Sequence, residues 1–206
     1  LAGWVGWDDV AQVLGRVREE AGRGARRGGR RAEPQARPAA APLQRPNPAD
    51  PTLWPQREAL KAGLQYPTLA GPVFDTLTVD SFTHPGYAAV RSAIEAAGGA
   101  AAGISGAQWI EAVRAQASSP AAASLINELG VEAINVEDDE KLPRYIAGVL
   151  ARLQEVWVGR QIAEVKSKLQ RMSPVDNSDE YHALFGDLVA MESYRRSLLE
   201  QASGDD

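Results

Sequence analysis

Between residues 142 and 172 the chain reads LPRYIAGVLARLQEVWVGRQIAEVKSKLQRM. Its apolar residues return every three or four positions, the spacing of one face of an α-helix. At 1.5 Å per residue such a helix is about 46 Å long. The register changes part-way. Leu142, Ile146, Val149, Leu153 and Val156 form one series, and a second starts at Val158 and runs through Ile162, Val165, Leu169 and Met172. The two are out of phase by two residues, roughly 200° around a helix that turns about 100° per residue. A helix with two nearly opposed apolar faces must pack against two different partners. Gly159, at the change of phase, offers a place to bend.

The C-terminal residues supply the partner for the second face. Pro174 ends the long helix, Asn177 or Ser178 caps another, and apolar residues recur at Tyr181, Leu184, Leu188, Met191 and Leu198. This stripe mates with the second register in an antiparallel hairpin. Rotated by about 100° from it lies a further stripe, Phe185, Val189, Arg196 and Leu199. A two-helix hairpin has one internal face, so these residues are left over. An apolar strip rimmed by charge is a partner-binding surface.

The residues before 142 supply the partner for the first face. A helix is expected over Trp54–Gln65 with Leu60 and Leu64 inward, stopped by Pro67, and a short one over Thr68–Leu77. A third begins after Thr83 with Pro85 in its first turn, carries Tyr87, Val90 and Ile94, and ends at Gly98-Gly99. Ser105 and Gln108 form a capping-box pattern ahead of Trp109, Ile110 and Val113. Ser119 and Pro120 open a fifth helix with Leu125, Ile126 and Leu129, closed by Gly130. No two-residue alternation is sustained, although Val131–Val136 has room for a brief extended run. The expected class is all-α: a helical bundle, then a long helix and a C-terminal antiparallel helical hairpin.

Charge divides the 206 residues further. The net charge of −5 conceals +5 over residues 22–50, −2 before them and −8 after them. Residues 22–50 carry seven Arg, four Gly and five Pro, with Leu43 their one large apolar side chain. Such a segment buries too little surface to offset its ordering entropy and reads as a disordered linker, spanning roughly 30 Å root mean square if fully flexible. Gly22–Arg31 has a second reading, an arm that touches DNA or RNA phosphates, though it lacks interleaved aromatics for base stacking. Before the linker, Asp8 caps a short helix with Val10, Val13, Leu14 and Val17 on one face and Trp4 and Trp7 ahead of it. That helix is marginal alone and reads as the severed end of an upstream domain. The domain reading is therefore 1–21, linker 22–50, bundle 51–155 and hairpin 156–206.

Several chemistries are excluded or disfavoured. There is no cysteine, which removes disulfides, thiolate metal sites and cysteine nucleophiles. His84 and His182 are far apart in the chain and have no Ser or Asp partner at motif spacing. The Gly-rich run 98–106 lacks the Lys-Ser or Lys-Thr of a phosphate loop. Glu137, Asp138, Asp139 and Glu140 point in different directions and precede a helix whose positive end favours them, so they read as a cap rather than a metal site. A helix-turn-helix over Ser105–Leu129 would have no Arg or Lys on its second helix. The longest uncharged run, residues 96–110, is too short and too rich in Ala and Gly to span a bilayer. With neither an initiator Met nor a signal pattern at Leu1, the chain reads as a cytoplasmic piece of something longer. No catalytic residues, cofactor-binding residues or metal ligands are assigned to it.

Three motifs in order carry a resemblance. They are Arg57-Glu58-Ala59-Leu60-Lys61 through Leu64-Gln65-Tyr66-Pro67, then Phe82-Thr83-His84-Pro85 leading to Tyr87, and Asp179-Glu180-Tyr181-His182-Ala183-Leu184-Phe185-Gly186-Asp187-Leu188-Val189-Ala190. Residues 51–206 resemble the C-terminal helicase-binding domain of bacterial DnaG-type DNA primases, and the Ala, Arg and Gly content resembles the actinobacterial, mycobacterial branch. The resemblance implies a bundle and hairpin in which the hairpin docks on the N-terminal domains of the hexameric replicative helicase. On the surplus stripe of the hairpin, the helicase contact is expected at Phe185, Val189, Arg196 and Leu199, with Tyr181 and the turn at Pro174 and Val175. The resemblance implies recruitment of primase to the replication fork, in association with the nucleoid, for RNA primer synthesis. Residues 1–21 would then end the RNA polymerase domain, and zinc and magnesium would belong to upstream domains, with none in this segment. The family further implies single-stranded-DNA-binding protein as a partner, its acidic tail near Arg57, Lys61 and Arg91. The alternative function is a nucleic-acid-binding module that uses the Arg-rich arm; no membrane contact is expected.

Overall fold

The structure is a computed structural model that describes residues 44–136, 138–173 and 177–203. Among them are seven α-helices and no strand: α1 Trp54–Gln65, α2 Pro67–Phe74, α3 Pro85–Ala96, α4 Gly106–Ala115, α5 Pro120–Val131, α6 Leu142–Arg171 and α7 Ser178–Ser203. Short 3-10 turns occupy Val79–Ser81, Ala100–Ala102 and Asp139–Lys141. The described residues divide into two compact units, 44–157 with 197–203, and 158–196. The predicted helix at residues 10–17, the Arg-rich arm at Gly22–Arg31 and most of the predicted linker lie outside the described residues.

In the larger unit α1 is the hub, packed by α2, α3, α4 and α5. Enclosure on that scale buries every residue from Pro55 to Leu64, polar ones included. Leu60 and Leu64 face inward as expected, and the enclosure extends to their polar neighbours. Gln56 ties α1 to the start of α3, its amide donating to Thr83 Oγ1 at 2.7 Å and its carbonyl accepting from Thr83 N–H at 2.9 Å. The Trp109 indole N–H of α4 donates to Gly63 O at 3.0 Å. Phe74, Tyr87, Trp109, Ile126 and Leu129 fill the interior. At Gly71 a Cβ would stand 2.8 Å from the backbone nitrogen of Ala101. Glycine thus lets α2 meet the Ala100–Ala102 turn, and Asp75 anchors that turn by accepting from Ala100 and Ala101 N–H, both at 2.8 Å.

Some local expectations need correction. Ser105 precedes α4 but its side chain makes no cap hydrogen bond, so the box with Gln108 does not form. Gly106 enters the helix at φ +67°, which spoils the helical first turn that a capping box requires. Ser119 does cap α5, accepting from Ala122 N–H at 3.2 Å. Gly130 does not end α5, which runs on to Val131. Its missing side chain makes room for Ile110, whose Cδ1 would lie 3.0 Å from a Cβ there. Residues 132–136 form no strand, because α1 side chains claim their backbone: Gln65 donates to Leu129 O and Glu132 O, and Lys61 to Ala133 O. Residues 44–50, which composition placed in the linker, group with the bundle. Pro46 is buried and Arg45 pairs with Glu128.

The long helix runs unbroken through Gly159. Its first part buries Leu142, Ile146, Val149, Leu150 and Leu153 in the core of the larger unit. From Val158 onward Ile162, Val165 and Leu169 are buried in the smaller one. The phase change falls between Trp157 and Val158, where the spacing predicts it, but the last member of the first series differs. Val156 is 38% exposed and Trp157 takes the buried place.

Candidate functional site

The smaller unit, residues 158–196, holds the later part of α6 and most of α7. Val158, Ile162, Val165 and Leu169 on one helix and Leu184 and Met191 on the other are buried, with Tyr181 and Leu188 half-buried beside them. Lys168 near the turn pairs with Glu180 at 3.0 Å, and Lys166 with Glu192 at 2.6 Å. Arg195 lies over Gly159, its Nε 3.5 Å from where a Cβ would be. These pairings run in opposite chain directions, as in an antiparallel hairpin. The Arg195 guanidinium rests on an uninterrupted helix at Gly159. Burial pushes the Tyr194 hydroxyl pKa well up. His182 Nδ1 is 2.7 Å from Ser178 O, a bond in which the ring donates, and its ring meets Tyr181 edge-on at 6.1 Å.

Phe185 and Val189 remain outside that seam, 51% and 55% exposed. Four residues apart, they lie about 40° from each other on the helix and form a two-residue apolar patch. Arg196 is exposed on the same face by helical phase. Of the predicted contact residues, Tyr181 contributes at most one edge, since half of it is packed. Pro174 and Val175 lie outside the described residues. Leu199, 38% exposed, groups with the larger unit and lines a groove there with Trp54 and Val149.

The bundle cations suggested for an acidic tail are not on a surface. Arg57 is buried and pairs with Glu128 and Glu132 while donating to the Tyr87 hydroxyl at 3.3 Å. Lys61, 2% exposed, pairs with Glu58 at 2.8 Å and with Glu132 at 3.4 Å. The Tyr145 hydroxyl donates to the other Glu58 oxygen at 2.8 Å. Arg91 is buried over the Phe74 ring, donating to Leu77 O at 2.9 Å and Asp75 O at 3.3 Å. A sequence shows that these residues are charged but not that α1 is enclosed. For Glu132, burial acts to raise the carboxyl pKa, but the Arg57 hydrogen bond and the Arg57 and Lys61 charges outweigh it and hold it below the ordinary value.

Other polar clusters have local duties. The Asp138 carboxylate accepts from Glu140 N–H at 3.0 Å and caps the turn into α6. His84 Nδ1 accepts from Gly86 N–H at 3.1 Å and caps α3. Among the described residues no three His, Asp or Glu side chains converge as a metal site would need. No described helix is long and apolar enough to cross a membrane.

Residues 56–184 match the family model described as DNA primase DnaG DnaB-binding. The chain belongs to that primase family. The DNA primase of Mycolicibacterium smegmatis is 80% identical over all of this chain and 33% of its own length. That of Mycobacterium tuberculosis is 70% identical over all of this chain and 34% of its own. The Streptomyces coelicolor primase is 35% identical over 76% of this chain. The chain thus spans about a third of the length of the curated primases it matches. Among solved structures, the helicase binding domain of primase from Mycobacterium tuberculosis is similar with a TM-score of 0.67 and 78% identity, covering 75% of this chain and 95% of that one.

Proposed function

We propose that this chain is the helicase-binding domain of a DNA primase and that its hairpin docks on the replicative helicase through Phe185 and Val189. The observation that supports this most is the 78% identity to a solved helicase binding domain over nearly all of that domain. The placement rests on the two apolar side chains that the hairpin seam leaves exposed. Fully covering a Phe or Val side chain contributes about 1.5–3 kcal/mol, and a central aromatic is a common hot spot. The segment itself carries no catalysis. It holds the polymerase and zinc-binding parts of a longer primase near unwound template, where residues 22–43 act as a tether. Linked modules reach roughly millimolar effective concentration, and several copies on one hexamer add avidity. Single-stranded-DNA-binding protein and the Arg-rich arm are further contacts of this assembly at the fork.

Calorimetry of the chain against a mycobacterial replicative helicase tests the placement. Phe185→Asp and Val189→Asp are expected to weaken binding about 30-fold or more while leaving helical circular dichroism unchanged. Unchanged affinity in both would remove this patch as the contact. Point variants are preferable to truncation after Gly159, because α7 also supplies Leu198 and Leu199 to the larger unit. Cutting the hairpin away would damage the bundle as well.

A further inference from the structure

The groove that receives Leu199 has a composition that the helicase contact does not use. It lies wholly within the larger unit and encloses about 720 Å³, within the size range of small-molecule sites. Its walls are the start of α6 and the end of α7, with Trp54 and the segment Asn135–Val136 at the side. Lys141, Arg144 and Arg152 line it, and among the described residues no carboxylate does. This is unexpected in a unit whose described residues are predominantly acidic. Arg144, Gly148 and Arg152 share one face of α6 by helical phase, and Lys141 ends the 3-10 turn that leads into that helix. At Gly148 the step is small because the carbonyls of Gln201 and Ala202 come close, 4.0 Å and 3.8 Å from where a Cβ would be. Trp54 is 45% exposed although it is the largest side chain of α1. Tyr145, half-buried, stands on the same α6 turn as Arg144, its hydroxyl committed to Glu58. Arg152 pairs with the buried Glu155 at 3.2 Å and remains half exposed.

We infer that this groove binds a nucleoside phosphate, the base against Trp54 and Tyr145 and the phosphates against Lys141, Arg144 and Arg152. Aromatic side chains serve as sequence-tolerant platforms for bases, cations hold phosphate, and Asn135 offers an amide for the base edge. A long polyanion would meet the acidic remainder of the unit, including Asp139 and Glu140 just before Lys141, whereas a short phosphate chain feels mainly the nearest cations. The same chemistry could come from a free nucleotide or from the end of a strand. The inference is independent of the helicase contact, which lies on other residues.

The test is titration of the whole chain with ATP and with GTP, monitored by the NMR signal of the Trp54 indole N–H, assigned by its loss in Trp54→Phe. Both nucleotides are expected to shift that signal with saturable binding. Adenosine and inorganic pyrophosphate, each with half the chemistry, should bind about tenfold or more weakly. The surface variant Lys141→Glu with Arg144→Glu should weaken ATP binding about tenfold or more with unchanged circular dichroism, and helicase affinity should not change. If that variant does not fold, Lys141→Ala alone takes its place. Weaker binding of a short oligothymidylate than of ATP assigns a free nucleotide; tighter binding, lost in the same variants, assigns a strand end. No shift at millimolar ATP would overturn the inference. So would pyrophosphate binding as tightly as ATP, or an acidic peptide with one Phe binding more tightly than either nucleotide.

Discussion

In the larger unit α1 has neighbours on every side, so that Arg57, Glu58 and Lys61 are buried together and matched in charge. Between Val158 and Arg196 two helices share one seam, and Phe185 and Val189 are left facing outward. The two regions thus reverse the usual assignment, with ions inside the bundle and apolar side chains outside the hairpin. What decides burial is how many elements surround a helix, not the class of side chain it carries. The enclosed unit meets its own requirements, and the two-helix unit is left with a surface for something else to cover.

The hardest blow to the enclosed unit is expected at Trp109. Trp109→Ala removes the largest buried side chain and strands Gly63 O, and should cost about 3–5 kcal/mol. Urea unfolding monitored by circular dichroism measures it. If the units are energetically separate, helicase affinity measured well below the unfolding midpoint should change little. Loss of binding in step with loss of bundle stability would show one cooperative body.

A smaller effect, with a pH signature, belongs to the buried ions. Glu132→Ala leaves Arg57 and Lys61 short of charge. Because Glu132 is part-exposed, the cost is about 1–3 kcal/mol, less than for a fully buried pair. At both Glu128 and Glu132 burial acts to raise the pKa, but bonding to arginine prevails and lowers it from 4.5. A carboxyl depressed on folding contributes stability that is fully present above its unfolded pKa and lost as pH falls through the folded one. The bundle should therefore loosen below about pH 4.5, and Glu132→Gln should flatten that dependence. An unchanged acid limb in urea titrations across the carboxylate range would remove these groups as its source.

The split of the long helix was legible because it rests on periodicity, which a sequence carries directly: Leu142 to Leu153 pack in one unit and Val158 to Leu169 in the other. The same holds for α1 and α3, whose boundaries follow from prolines and glycines. What was not legible depends on neighbours distant in the chain. Enclosure of α1 turned Arg57 and Lys61 from candidate surface cations into interior ones, and packing on Phe74 did the same for Arg91. Leu199 shares a helical face with Phe185, yet it meets Trp54 in a groove assembled from separate stretches of chain. No spacing rule reaches across such distances.

Two glycines bring the comparison down to single atoms. At Gly71 an added methyl would press on the backbone of Ala101 at 2.8 Å, and a backbone clash has no rotamer to escape into. Gly71→Ala should destabilise the bundle by about 1–2 kcal/mol despite the better helix propensity of alanine. At Gly159 the nearest atoms are those of the Arg195 guanidinium, the closest at 3.5 Å and 3.6 Å, an ordinary contact on a mobile side chain. Alanine there removes a flexible residue from the middle of a 30-residue helix and should stabilise by about 0.5–1 kcal/mol. Opposite signs for one chemical change, read as denaturation midpoints of the two variants, would reflect an enclosed unit packed to its backbone and a hairpin with room to spare. If Gly159→Ala also destabilised, α6 would need glycine at its change of phase for its own backbone, and the bend expected from the sequence would return as the explanation.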